Sequence, residues 1–188
     1  MIAQLDTKTV YTFMESLVTL KDYVQKAKSL RYDALGMMDV DNLYGAYEFI
    51  EACQEANIKP LVGLELELEL GNETIPFRML ALSTKGYQNL LKMSTVKMMG
   101  KSNWEDVKHL TEGVAVIVPA PFASEELALG LDYLIGVFVD TPAQVFSHPV
   151  IPLHTVRFFE AGDMEAMQML AAIKENQTLT ETGPIDPA

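Results

Sequence analysis

Apolar and polar positions along this chain switch repeatedly between two periods. From Thr19 to Leu30, the residues Leu20, Tyr23, Val24, Ala27 and Leu30 recur at helical spacing. Ala34 to Met38 is an unbroken apolar run and predicts a buried strand. Helical spacing returns from Asn42 to Ala56, with Leu43, Ala46, Tyr47, Ile50 and Cys53 along one face. After Pro60, the segment "LVGLELELEL" alternates apolar and acidic residues from Leu64 to Leu70, the signature of a strand with unlike faces. Gly71-Asn72 predicts a turn and Thr74 to Leu82 a returning strand, so the pair reads as a hairpin.

The alternation continues to the end of the chain. Lys85 to Met99 reads as a helix carrying Tyr87, Leu90, Leu91 and Met98, and Trp104 to Leu110 as a shorter one capped by Asn103. Gly113 to Pro119, "GVAVIVP", is a continuous apolar strand; Ser124 to Leu129 predicts a helix, and Tyr133 to Val139 and Val150 to Leu153 predict strands. Asp163 to Lys174 is amphipathic, with Met164, Met167, Leu170 and Ala171 on one side. The methionines read as core filler. Strands alternating with helices, several apolar throughout, imply a mostly parallel sheet covered on both faces.

Functional groups of such folds collect at the C-terminal ends of the strands. That rule selects Gln4, Asp6 and Lys8 at the first strand, the short apolar opening from Met1 to Leu5, and Asp39 and Asp41 after the second, Ala34 to Met38. Glu65 falls near the end of the third; His154, Thr155 and Arg157 follow the last. Alternation sends Glu65, Glu67 and Glu69 to one face, which reads as a solvated side, with Glu65 nearest the barrel mouth.

Composition narrows the function. The chain has 188 residues, 49% hydrophobic and 21% charged, which suits one soluble domain with a proper core. Its formal net charge of −12 argues against gripping a phosphate backbone directly. No apolar run approaches the ~20 residues of a membrane span, and "MIAQLDTKTV" lacks the layout of a secretory signal. A lone cysteine, Cys53, can form no internal disulfide and falls on a helical face; a cytoplasmic location and a core role fit it. The closing "TLTETGPIDPA" is polar and rich in turn residues. Residues 1–180 are expected to form the domain and 181–188 a linker or cut end.

Tested as chemistry, the strand ends are poor. A metallohydrolase needs several His and carboxylate ligands converging from different strands. Of three histidines, His109, His148 and His154, only His154 lies at a strand end. Asp6, Asp39 and Glu65 could hold one hard cation, but Lys8 and Arg157 compete for the same negative groups. No nucleophile elbow and no glycine-rich phosphate loop is present.

The order of motifs resembles one family: the PHP (polymerase and histidinol phosphatase) domain at the N-terminus of bacterial DNA polymerase III alpha subunits. A family pattern like H-L-H-V-H-S-E-Y-S is matched by "QLDTKTVYT", Gln4 to Thr12, and a K-K-A-K-E-L-like segment by "VQKAKSL", Val24 to Leu30. A-L-A-I-T-D-H-G-N-L-F-G-A-V-E-F is matched by "ALGMMDVDNLYGAYEF", Ala34 to Phe49, and G-I-K-P-I-I-G-C-E by "NIKPLVGLE", Asn57 to Glu65. G-Y-x-N-L-x-K-L-S is matched by "GYQNLLKMS", Gly86 to Ser94, and P-V-V-A-T-N-D-V-H-Y-L by "PVIPLHTVRFF", Pro149 to Phe159. The resemblance is weakest from Trp104 to Ser147. It implies an α/β fold, a distorted, mostly parallel (β/α) barrel of the PHP type.

Members with an intact site bind up to three metals and support phosphoesterase or exonuclease chemistry. Carried over by position, the motif histidines become Gln4, Asp6 and Lys8, the Asp-His pair becomes Asp39-Val40, the Glu is kept as Glu65, and the late Asp-x-His becomes Thr155-Val156-Arg157. The expectation is therefore a vestigial pocket of Gln4, Asp6, Lys8, Asp39, Val40, Glu65, Thr155 and Arg157, without cofactor or metal. In it, Lys8 and Arg157 would replace ions as counter-charges to Asp6, Asp39 and Glu65.

The resemblance further implies a non-catalytic domain of a replicative polymerase. Its partners would be the polymerase core of the same parent chain and other replisome subunits, such as a proofreading exonuclease. Neither direct DNA contact nor a membrane is expected. The alternatives are a residual metal-dependent phosphoesterase or 3′→5′ exonuclease using Asp6, Asp39, Glu65 and His154, and a barrel binding a small anion between Lys8 and Arg157.

Overall fold

The computed structural model describes residues 2–123, 131–142 and 145–177. The helix expected over Ser124–Leu129 and the tail 181–188 lie outside them.

The strands are β1 (Ala3–Gln4), β2 (Asp6–Thr7), β3 (Ala34–Val40), β4 (Lys59–Leu70), β5 (Glu73–Ala81), β6 (Val114–Pro119), β7 (Leu134–Val137), β8 (Val150–Pro152) and β9 (Thr155–Val156). The helices are α1 (Leu20–Ser29), α2 (Ala46–Ala56), α3 (Thr84–Met98), α4 (Trp104–Val107) and α5 (Met164–Glu175). Seven strands form one sheet in the order β1-β3-β4-β5-β6-β7-β8. Its pairings are parallel except where β5 runs antiparallel to both β4 and β6.

Closure comes from a second, two-stranded ladder. β1 and β2 are one stretch of chain interrupted at Leu5, and β8 and β9 are separated only by Leu153 and His154. β1 pairs with β3 (Ala3 opposite Ala34), whereas β2 pairs in parallel with β9 (Asp6 opposite Thr155, Thr7 opposite Val156). The first and last strands of the main sheet are thereby joined, and the sheet curls into a distorted barrel, as expected. The crossing at Leu5 is tight: a Cβ on Gly36 of β3 would stand 2.2 Å from the Leu5 carbonyl oxygen. Only glycine lets the first strand pass there.

The helices begin where side-chain caps allow. Thr19 accepts from the Asp22 amide (3.2 Å) to start α1, Ser83 from the Gly86 amide (3.1 Å) to start α3, and Asn103 from the Glu105 amide (3.0 Å) to start α4. α2 starts at Ala46 rather than at the expected Asn42. The intervening residues form a turn in which Asp41 has φ +60° and the Asn42 side chain donates through Nδ2 to the carbonyls of Val40 (2.9 Å) and Tyr11 (3.0 Å). The hairpin appears where expected, with Gly71 at φ +64° in its turn.

Leu35, Met37, Leu64, Leu66, Leu68, Ile75, Phe77 and Met79 are fully buried in the sheet, with Phe49 of α2 and Trp104 of α4 packed over it. Cys53 belongs to this core, and burial pushes its thiol up to about 12, far from the reactive range. Met37, Met38, Met79, Met93 and Met167 are core residues, whereas Met98, Met99 and Met169 are exposed.

Candidate functional site

The structure brings four of the expected residues, Asp6, Lys8, Glu65 and Thr155, together at the barrel mouth and adds Arg78 to them. Asp6 on β2 and Lys8 just beyond it are completely buried, Asp39 at the end of β3 likewise, and Glu65 of β4 is 7% exposed. Neighbouring Glu67 and Glu69 are exposed. The acidic alternation of β4 is thus a solvated face whose innermost member has been drawn inside.

The Lys8 ammonium lies 2.6 Å from Asp6 Oδ1 and 2.8 Å from Glu65 Oε2. The second cation expected here was Arg157. The structure places Arg78 of β5 instead, a residue the strand-end rule passed over. Its Nε donates to Asp6 Oδ2 at 2.7 Å and its Nη2 lies 3.1 Å from Glu65 Oε2. The contacts to Glu65 Oε2 are close approaches of opposite charge, not well-aligned hydrogen bonds. The Thr155 hydroxyl adds a 2.8 Å bond to Asp6 Oδ2.

Arg157 turns the other way. Its Nη1 donates to Glu15 Oε2 at 2.6 Å, and Lys174 of α5 meets the other oxygen of the same carboxylate. The physical reason is direction. Arg78 sits opposite Glu65 in the β4–β5 register, and paired residues project to the same face. Arg157 follows the end of β9, where its carbonyl accepts from Leu17 (2.9 Å) and Ser16 (3.0 Å) and its side chain falls beside the loop holding Glu15. The hairpin turn carried the missed signal, since counting outward from Gly71-Asn72 brings residue 78 opposite residue 65.

Asp39 stands apart from both cations. Its Oδ1 accepts from the Thr9 amide (2.6 Å) and the Thr12 hydroxyl (2.7 Å), and its Oδ2 from the Thr9 hydroxyl (2.7 Å). The expectation that cations would balance Asp39 is thus replaced by a shell of neutral donors. Gln4 braces backbone, donating to the carbonyls of Asp6 (3.1 Å) and His154 (2.5 Å). Val40 contributes backbone alone: its amide donates to Thr12 Oγ1 at 3.2 Å and its carbonyl accepts from Asn42 at 2.9 Å. His154 and His109 are exposed, and His148 stacks on Tyr133 at 4.0 Å between centroids. None of the three joins the cluster.

Burial alone would raise the Asp6 pKa. The Lys8 ammonium and the Arg78 guanidinium together outweigh it and hold the carboxyl at about 2. Half-buried Asp41 shows the opposite case. Its pKa is raised chiefly by burial, only partly offset by Lys97, and its Oδ1 has no hydrogen-bond partner.

The resemblance implies divalent ions at this mouth in members with an intact site, so the donor set can be tested for fit. Both Asp6 oxygens and both Asp39 oxygens already accept hydrogen bonds from the chain itself, and Glu65 Oε2 faces the Lys8 ammonium and the Arg78 guanidinium at close range. Gln4, Lys8, Val40 and Arg157 supply no imidazole where the family pattern has histidine. Among the described residues, no three His, Cys, Asp or Glu side chains converge as metal ligands. The residues present do not fit the ions.

A cleft of about 780 Å³ opens beside the cluster, lined by Pro76, Pro119, Phe122, Phe138, His154 and Arg157 among others. Arg78 forms part of its wall, with its guanidinium carbon 5.1 Å from the centroid of Phe138.

Comparison with known proteins agrees with this architecture. The PHP domain family model matches residues 4–149. The DNA polymerase III subunit alpha of Streptococcus pyogenes serotype M3 is 44% identical over 99% of this chain, which spans only 18% of that protein. The corresponding subunit of Mycoplasma genitalium is 28% identical over 95% of the chain, covering 20% of its own length. Among solved structures, an amidohydrolase from Chromobacterium violaceum, with bound sulfate and no metal, superposes with a TM-score of 0.54 at 12% identity, covering 94% of this chain and 84% of that one. A Bifidobacterium adolescentis protein provisionally described as a metal-dependent phosphoesterase superposes with a TM-score of 0.55 at 11% identity, over 93% and 84%. At such identities the structural likeness speaks for the fold alone. The sequence likeness goes further: this chain belongs to the PHP domain family, in the form found in DNA polymerase III alpha subunits.

Proposed function

We propose that the chain is a non-catalytic PHP domain of a replicative DNA polymerase III alpha subunit, one that stabilises the polymerase core of the same polypeptide and offers a docking platform to other replisome subunits. The observation supporting this is the engagement of Asp6, Asp39 and Glu65 by Lys8, Arg78, Thr9 and Thr12. A carboxylate that already accepts hydrogen bonds, as Asp6 and Asp39 do, or that faces two fixed cations, as Glu65 does, cannot ligate a metal or take a proton from water without displacing those partners. DNA synthesis itself belongs to the longer parent polypeptide. The net charge of −12 speaks against direct DNA binding by this domain. No helix among the described residues is long and apolar enough to cross a membrane, and a cytoplasmic location is part of the proposal.

The test is incubation of the 188-residue protein with single-stranded DNA and Mn²⁺. No nucleotide release is expected. Release that Asp39→Asn abolishes would overturn the reading in favour of a residual metal-dependent phosphoesterase or 3′→5′ exonuclease.

A further inference from the structure

Lys8 and Arg78 do not form two separate ion pairs. Lys8 touches both Asp6 (2.6 Å) and Glu65 (2.8 Å), and Arg78 touches the same two carboxylates (2.7 and 3.1 Å). Each cation meets each anion in an alternating ring of four charges that sums to zero. All four side chains are at most 9% exposed. The ring ties the end of β2 to β4 and β5, and Thr155 extends it to β9, the strand that closes the barrel.

We infer that this ring is a self-neutralised clamp that closes the barrel mouth without metal, and that its working property is charge balance, not any particular pair. It deepens the reading of a non-catalytic domain, and its account of the missing ions rests on that reading. The physical ground is desolvation. A buried charge left without its counter-charge is costly, whereas removing one charge of each sign leaves the remainder paired. Because every cation serves both acids, loss of Lys8 is compensated by neutralising either Asp6 or Glu65, and loss of Arg78 likewise. A set of independent pairs would not show that cross-compensation.

The experiment is thermal melting of the chain carrying Lys8→Met, Arg78→Met, Asp6→Asn and Glu65→Gln, singly and in the four cation–acid combinations, with and without EDTA. Each single cation loss is expected to lower the midpoint by roughly 6 °C or more. Each charge-balanced double variant is expected to recover at least half of that loss. EDTA is expected to leave the wild-type midpoint unmoved, and elemental analysis to find no stoichiometric zinc, manganese or iron. Doubles that melt at the sum of their singles, or recovery confined to one acid per cation, would overturn the ring. If the cation variants fail to fold, folding of the balanced doubles supports it. If the doubles fail too, the wild-type chelation and metal measurements decide: a midpoint lowered by EDTA or raised by Mn²⁺ overturns it. Nuclease activity would sink the functional reading without touching cross-compensation, and additive doubles would do the reverse.

Discussion

Glu65 and Arg78 face each other across the β4–β5 hairpin, in register, with Oε2 and Nη2 3.1 Å apart at the mouth of the barrel. Arg157, the arginine within the family's last motif, stands instead on Glu15. The two arginines differ in burial: the Arg78 side chain is 8% exposed and that of Arg157 29%. Arg78→Ala should therefore cost about 3–5 kcal/mol, since it strands buried charge, and Arg157→Ala about 1 kcal/mol, since water and Lys174 can compensate for it. Urea denaturation of both variants checks the order; equal losses would contradict the placement.

Acid should loosen the barrel mouth in a defined window. The Asp6 carboxyl is held at about 2 against an ordinary 3.8, because two cations outweigh its burial. A group whose pKa is depressed on folding stabilises the native state above its unfolded pKa, and that stability disappears as pH falls through the folded value. The contribution is about 2 kcal/mol, present above roughly pH 4 and lost toward pH 2. Stability measured against pH should fall across that window, and Asp6→Asn should flatten this part of the curve.

The shell around Asp39 gives a separate prediction. Thr12 bonds Asp39 Oδ1 at 2.7 Å and accepts from the Val40 amide at 3.2 Å, while being only 2% exposed. Thr12→Val keeps the shape and removes both bonds. It should cost about 1–3 kcal/mol, because a buried carboxylate oxygen loses a donor. Thr12→Ser, which keeps the hydroxyl, should retain most of the stability by calorimetry.

Asp41 offers a change in the other direction. It occupies φ +60°, carries an unpartnered oxygen and has a raised pKa caused chiefly by burial. The family pattern has glycine here. Asp41→Gly should stabilise the protein by up to about 1 kcal/mol, relieving backbone strain and a poorly solvated carboxylate. A lower melting midpoint would show that Asp41 makes a contribution its geometry does not reveal.

Among the described residues, the order of the longer helices and strands, the hairpin, the cap at Asn103 and the nearness of Asp6, Lys8, Glu65 and Thr155 were legible in the sequence, because periodicity and motif order are local. The sequence likewise marked the lost histidines. The barrel's closure through β2 and β9 was not legible, since two short strands of two residues each leave no periodic trace. Nor was the choice of cation. Arg78 and Arg157 are equally charged as letters, and local pattern says only that both lie near strand ends or hairpins. Tertiary structure decided between them by direction: β-pairing aims Arg78 at the acids, whereas the bend after β9 aims Arg157 at Glu15. Electrostatic partnership falls off over a few ångströms, so it is set by where side chains point after the sheet has curled, which no single segment of the chain contains.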